Sequence, residues 1–155
     1  MKKWFCIFVL VLFGACSSSG YEVHIESRMN EEDAITYDYF VFDNVDLPDI
    51  QTPGACAKES DFFEVEDIDE DGRNEIGVLM NACASRYKSL EVFTYKYGQW
   101  FFVGSVNYDV GYPEPPLHER VVKVSKGSFS MREIMTDPFD SEAPPIDRDV
   151  LYEMH

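Results

Sequence analysis

The residue types best suited to chemistry gather in one acidic loop between two apolar runs. A carboxylate stands at every second position, a glycine follows, and one more acid closes the set: Asp67, Asp69, Asp71, Gly72 and Glu75. Calcium takes six to eight oxygen ligands, mainly carboxylates and backbone carbonyls, and its loops need a glycine at the sharp turn. The spacing predicts a calcium site whose ligands are the four carboxylates and the backbone carbonyl of Arg73.

The residues around this loop decide which kind of calcium loop it would be. A helix-loop-helix EF-hand requires a bidentate carboxylate at the twelfth position, where this chain has Val78, and the flanking residues are typical of strands. The segment instead resembles the D-x-D-x-D-G-x-x-[DE] loop between paired strands in FG-GAP and VCBS-type repeats of extracellular β-proteins. The motif occurs once in the 155 residues, so the resemblance implies a calcium-binding hairpin and no propeller.

A surface turn that binds no metal is the alternative for this loop. Aspartate caps its own backbone and glycine adopts positive φ angles, so both are common in turns. Three aspartates at strict alternate spacing repel one another, and this repulsion favours a cation between them.

The first fifteen residues have the pattern of an export signal. Lys2 and Lys3 precede the apolar run 4–13, which is too short to span a hydrocarbon core of about 30 Å as a helix. The next residues, Phe13-Gly14-Ala15-Cys16, resemble a bacterial lipobox, with Phe13 where that family usually has Leu. The alternative is ordinary signal cleavage nearby, which would leave Cys16 as a free thiol.

The lipobox resemblance implies that the protein is attached to a membrane through a lipid on Cys16. Residues 16–20 would form the lipidated start and a short flexible tether. Ser17 matches the pattern of lipoproteins sent to the outer membrane of double-membrane bacteria. The chain as a whole thus resembles bacterial lipoproteins that carry one calcium-loop hairpin, and the expected location is the cell envelope.

The charge of the chain excludes one class of partner. The sequence has 13 Lys and Arg against 29 Asp and Glu. Removal of residues 1–15 takes away Lys2 and Lys3, which leaves 11 against 29 and a net charge of −18. Such a surface is repelled by nucleic acid phosphates and anionic head groups, so no nucleic acid partner is expected and membrane attachment requires the lipid.

Four cysteines divide by position along the chain. Cys6 lies in the predicted signal and Cys16 in the lipobox, which leaves Cys56 and Cys83. Two remaining cysteines in an exported chain are expected to form a disulfide. Two buried reduced thiols are the alternative. A bridge would join the two ends of the segment that carries the acidic loop.

The pattern of apolar residues predicts a mainly β fold, with one β-rich domain over residues 21–155. An antiparallel sheet of about seven to eight strands in consecutive hairpins is expected. The clearest hairpin turns at Gly98-Gln99 and would place Phe93 opposite Gly104. Its aromatic stripe could stack on sugars or pack in the core, and the core is favoured. The tail 146–155 fits a strand or a helix, and a short helix after Pro144-Pro145 is preferred.

Two function classes remain open from the sequence. The first is a non-enzymatic binding domain on the outer membrane, with a structural calcium ion and an unknown envelope protein or glycan as partner. An inhibitor or assembly accessory cannot be separated from this class. The second is a small envelope hydrolase acting on glycan, which needs two carboxylates in a pocket, about 5 to 9 Å apart. The sequence lacks the common hydrolase and nucleotide motifs.

A further candidate site residue is His118, which stands beside Glu119 after the Pro-rich loop 108–116. The alternative is a surface histidine without a function.

Overall fold

A computed structural model describes residues 20–137, 139–140 and 142–155. The predicted signal, Cys16 and residues 17–19 of the tether lie outside these ranges. The described residues form ten strands: β1 (Val23–Met29), β2 (Thr36–Phe42), β3 (Ile50–Gln51), β4 (Phe62–Glu64), β5 (Ile76–Met80), β6 (Tyr87–Lys96), β7 (Gln99–Asp109), β8 (Val121–Ser125), β9 (Ser128–Met135) and β10 (Ile146–Glu153). Single 3-10 turns cover Glu59–Asp61 and Leu117–Glu119. Within the described ranges, no helix has the length and apolar character needed to cross a membrane.

The strands are arranged in two sheets. The smaller sheet has the order β1-β2-β3, and the larger has the order β10-β9-β7-β6-β5-β4, with β8 also paired to β9. Neighbouring strands are antiparallel except for one parallel bridge between Tyr108 of β7 and Ile134 of β9. The predicted mainly β fold is confirmed. The alternating segments form more strands than expected, because short strands such as β3 complete a second sheet.

Strand β5 lies inside the larger sheet, between β4 and β6, and is buried on both faces. On one face Ile76 and Val78 belong to the first core, which packs the two sheets together: Phe40, Phe42, Ile50, Ile76 and Val78. On the other face Leu79 belongs to the second core: Val65, Ile68, Leu79, Leu90, Val92, Val106, Tyr108, Val121, Phe129 and Met131. Apolar residues on both sides of a strand predict this central position.

The hairpin of β6 and β7 turns one residue earlier than the sequence predicts. Tyr95 pairs with Trp100 and Lys96 with Gln99, so the turn residues are Tyr97 and Gly98, both at positive φ. The prediction of a Gly98-Gln99 turn is wrong, because two positive φ angles in a row form the primed turn that matches strand twist. A register irregularity at Val92/Phe93 then puts Val92, and not Phe93, opposite Gly104.

The C-terminal tail is strand β10, so the preferred helix is wrong. Ile146–Glu153 pairs along the full length of β9. Its Tyr152 stacks on Phe129 and lies directly over Gly104, where a Cβ atom would meet the tyrosine ring at 2.8 Å. Pairing with the edge of β9 satisfies backbone groups that a helix would have left exposed there.

The disulfide between Cys56 and Cys83 is present, with 5.2 Å between the two Cα atoms. It joins the loop before β4 to the loop after β5 and therefore encloses the hairpin that carries the acidic loop. The closed segment separates the two cysteines by 27 positions. In the chain-entropy model a loop of this length contributes about 3.5 kcal/mol to stability.

Candidate metal site

The acidic loop connects β4 to β5 and is held by the pairing of those strands. Phe62 lies opposite Val78 and Glu64 opposite Ile76, and the amide of Val65 donates a hydrogen bond to the Glu75 carbonyl at 2.8 Å. The strands are fixed by the two cores on either side of β5. The loop is consequently a hairpin connection on a rigid base.

Ile68 fixes the loop to the rest of the domain. It is the apolar residue between Asp67 and Asp69, and it is fully buried in the second core. The amide of Gly127, at the turn between β8 and β9, donates to the Ile68 carbonyl at 2.8 Å. The backbone of the acidic loop is therefore fixed to the second core and to the turn between β8 and β9.

The structure brings Asp67, Asp69 and Asp71 together, with one carboxylate oxygen of each within 4.8 Å of the others. Backbone amides orient these groups. The amide of Asp71 donates to Oδ1 of both Asp67 and Asp69 at 3.1 Å, and the amide of Gly72 donates to Asp67 Oδ2 at 2.8 Å. Gly72 has a φ of +93°, a conformation that favours glycine. This cluster could hold a metal ion.

One carboxylate oxygen of Asp69 is buried beside Lys96. This oxygen, Oδ2, forms an ion pair with Lys96, whose Nζ lies 2.5 Å away. The Asp69 carboxylate raises the pKa of the Lys96 ammonium group by hydrogen bonding and charge attraction. One ammonium group offsets only part of the charge of three converging carboxylates, and a divalent cation would relieve the remaining repulsion. The donor set of the cluster therefore fits a hard cation.

Two more lysines hold the loop against β8 and the following turn. Lys123 Nζ donates to the Asp67 carbonyl at 2.7 Å and to Glu70 Oε1 at 3.2 Å, and Lys126 Nζ lies 3.7 Å from Glu70 Oε2. These contacts join segments more than fifty residues apart, and sequence reasoning did not find them. The one available signal was Lys123, a basic residue between the apolar Val122 and Val124 of β8.

Glu75 and Arg73 are placed differently from the three aspartates. Glu75 is almost fully buried and lies outside the cluster, with Oε2 accepting from the Ile68 amide at 2.6 Å and Oε1 from Thr94 Oγ1 at 3.0 Å. Burial raises the pKa of Glu75 to about 7, against these two hydrogen bonds, which lower it. The amide of Arg73 donates to Asp71 Oδ1 at 3.0 Å, and its guanidinium lies over the Tyr95 ring.

The hydrolase alternative needs a pair of acids beside the Pro-rich loop. A cavity of about 470 Å³ lies there, lined by Tyr108, Pro113, Pro116 and His118, and Asp61 is the one carboxylate among its described lining residues. Asp61 Oδ2 accepts from the amide of Lys58 and the side chain of Asn81. His118 and Glu119 are both exposed, with 3.9 Å between Nε2 and Oε1.

Comparison with protein-family models, curated proteins and solved structures found no match to this chain. A function must therefore be inferred from the geometry of the loop and its surroundings.

Proposed function

We propose that this protein is an envelope lipoprotein, anchored to the outer membrane through Cys16, whose domain binds a partner and carries a structural calcium ion. The observation that carries the calcium proposal is the convergence of Asp67, Asp69 and Asp71, with one carboxylate oxygen of each within 4.8 Å of the others. The anchoring rests on the lipobox residues, and the partner is an envelope protein or glycan.

Calcium fits this loop because its ligands are hard oxygen atoms on a flexible backbone turn. The three aspartates would hold the ion, and the motif implies two further ligands, the Arg73 carbonyl and the Glu75 carboxylate. The Glu75 carboxylate would have to turn from its hydrogen bonds with Ile68 and Thr94 to reach the ion. The ion would supply positive charge among groups that otherwise repel one another. The chain's own part is to hold the loop in place through Ile68 and the two strands.

A binding role is favoured over hydrolysis by the surroundings of the Pro-rich loop. General acid and base catalysis on glycosides uses two carboxylates that face each other across the substrate. Asp61 lacks such a partner among the described lining residues, and it is already hydrogen-bonded as a structural acid.

Calorimetric titration of the purified protein with calcium tests the proposal. We expect a dissociation constant of about 0.1 to 1 mM, typical of extracellular modules. At free calcium twenty times that constant, binding would stabilise the fold by about 1.8 kcal/mol and raise the melting temperature. The Asp69→Ala variant should show at least a tenfold weaker affinity.

Asp149→Ala is the matched control, since it removes one exposed acid from β10 and leaves the loop intact. This variant should bind calcium like the wild type. If the wild type gives neither heat nor a change in melting temperature, or if both variants lose binding equally, the calcium site is wrong.

A further inference from the structure

The start of the described chain lies at the same end of the domain as the acidic loop. The Asn44 side chain donates to the Gly20 carbonyl at 2.7 Å, and the amide of Tyr21 donates to Glu64. The Tyr21 hydroxyl donates to the Asn74 carbonyl at 3.1 Å, which places the chain start directly beside the last part of the acidic loop.

The tip of the β6–β7 hairpin lies at this end as well. The Arg73 guanidinium lies 5.1 Å from the centroid of the Tyr95 ring. Asp71, Arg73, Lys96, Tyr97 and Gly98 line one shared cavity. The chain start, the acidic loop and the hairpin tip therefore form one continuous end of the molecule.

The hairpin tip carries exposed aromatic rings on both of its faces. Tyr97 is 95% exposed, Phe102 57% and Phe101 38%. Phe101 and Phe102 are neighbours in β7 and point to opposite sides of the sheet. Aromatic rings that project from a loop tip in this way favour the interface between water and lipid over water alone.

This end is also where positive charge collects. Apart from Lys2 and Lys3, the sequence has 11 Lys and Arg residues. Four of them surround the acidic loop, and they offset its carboxylates: Arg73, Lys96, Lys123 and Lys126. These four cations reduce the negative charge of the acidic loop and so lower the cost of its approach to a bilayer.

We propose that the hairpin tip, Tyr97 with Phe101 and Phe102, rests in the bilayer that holds the lipid anchor. This inference rests on the proposed lipidation of Cys16. Four residue steps separate Cys16 from Gly20, and they span at most about 14 Å when fully extended. The bilayer surface thus lies within about 14 Å of Gly20, at the end of the domain that also carries the exposed rings of the tip.

Tryptophan fluorescence of the lipidated protein in phosphatidylcholine vesicles tests this arrangement. Trp4 lies in the predicted signal, so Trp100 is the background tryptophan of the anchored chain. Tyr97→Trp adds a reporter at the tip, and Met29→Trp adds one at the far end of β1, where Met29 is 67% exposed. Brominated phosphatidylcholine quenches tryptophan that is in contact with lipid.

The tryptophan introduced at position 97 should lose most of its emission in brominated vesicles and shift to shorter wavelength, while that at position 29 should do neither. Intact mass measured beforehand shows whether Cys16 carries lipid. A mass without lipid overturns the anchoring and this inference with it. If the protein carries lipid but the tryptophan at position 97 is not quenched by brominated lipid, this inference alone is overturned. The same holds if the emission of that tryptophan shifts to shorter wavelength without quenching, because protein and not lipid then covers it.

Discussion

Lys96 and Asp69 set the electrostatic balance of the candidate metal site. The ammonium group lies 2.5 Å from Asp69 Oδ2, on one of the three carboxylates that a cation in the cluster would use. A bound divalent ion must compete with this charge or share the carboxylate with it. We therefore expect Lys96 to compete with calcium at this cluster and to keep the calcium affinity low.

Replacement of this lysine should strengthen calcium binding. Lys96→Met keeps the aliphatic stem and removes a positive charge next to the ion, so we expect calcium affinity to rise on the order of tenfold. Calorimetric titration measures the change. Lys126→Met is the control, because Lys126 is exposed and contacts Glu70 but none of the three aspartates. Unchanged or weaker binding in Lys96→Met would rule out the competition.

Glu75 should make stability depend on pH near neutrality. Its folded-state pKa is about 7 against an ordinary value of 4.5, because burial disfavours the charged form. Between these values the folded state binds more protons than the unfolded state, so the free energy of unfolding falls as pH rises from about 4.5 to 7. Urea denaturation in EDTA should show a loss of about 1 to 3 kcal/mol across this window.

Glu75→Gln removes the titrating group while it keeps the shape and one oxygen acceptor for the Ile68 amide. In this variant the loss of stability between pH 4.5 and 7 should be much smaller. An equal loss in the wild type and the variant would assign the pH dependence to other carboxylates.

The three aspartates and the turn glycine could be predicted at the residue scale because their spacing is local. Lys96 and Lys123 could not, since they reach the loop from strands β6 and β8 and nothing near the motif indicates them. The burial of Glu75 could not be predicted from the sequence either. Its inward position depends on Thr94 and on the apolar second core around Ile68.

At the scale of elements, local patterns predicted which segments pair but left some registers open. The β4–β5 hairpin was predicted correctly, because two apolar runs flank a loop rich in turn residues there. The β6–β7 turn was placed one residue late, since Tyr97 at a φ of +53° is rare for a bulky residue. The tail fits two periodicities, and the free edge of β9 decides between them.

Asp109 ties three elements together at the end of β7. This fully buried carboxylate accepts from Arg86 at 2.7 and 3.1 Å, from the Gly111 amide and from the amide and hydroxyl of Thr136. Burial alone would raise the pKa of Asp109, but these hydrogen bonds outweigh it and hold the pKa well below the ordinary value. The carboxylate is thus charged and fully bonded in the folded state.

Asp109→Asn should lower the free energy of unfolding by about 3 kcal/mol, because an amide cannot accept all of these bonds and its NH₂ would face other donors. The matched control is Asp147→Asn. Asp147 also binds an arginine, Arg132, with two hydrogen bonds of 2.9 and 2.8 Å, but it is 44% exposed. That variant should lose much less stability, because solvent screens an exposed ion pair. If urea denaturation shows the same loss of unfolding free energy in Asp109→Asn and Asp147→Asn, burial does not decide the contribution of these carboxylates to stability.

At the scale of the whole molecule, the division into two sheets could not be read from the sequence. Both sheets are built mainly from antiparallel strand pairs, and the chain passes from one sheet to the other through residues 52–61 without a change in sequence pattern. What separates them is the first core, where Phe42 stacks on Trp100 at 5.5 Å across the two sheets. Contacts of this kind join residues far apart in sequence, so only the folded chain reveals them.

The high negative charge of the whole molecule destabilises the fold, because its many carboxylates repel one another. This repulsion acts in addition to the local repulsion among the aspartates of the acidic loop. With a charge of −18 after residue 15, about 0.2 M sodium chloride should raise the melting temperature by screening the repulsion. Calcium at a few millimolar should raise it further than magnesium at equal ionic strength, because magnesium keeps its water and demands stricter geometry. In Asp69→Ala the rise with sodium chloride should persist and the additional rise with calcium should vanish. Differential scanning calorimetry separates the two effects, and a calcium increment that survives in Asp69→Ala would mean that calcium acts on the acidic surface as a whole.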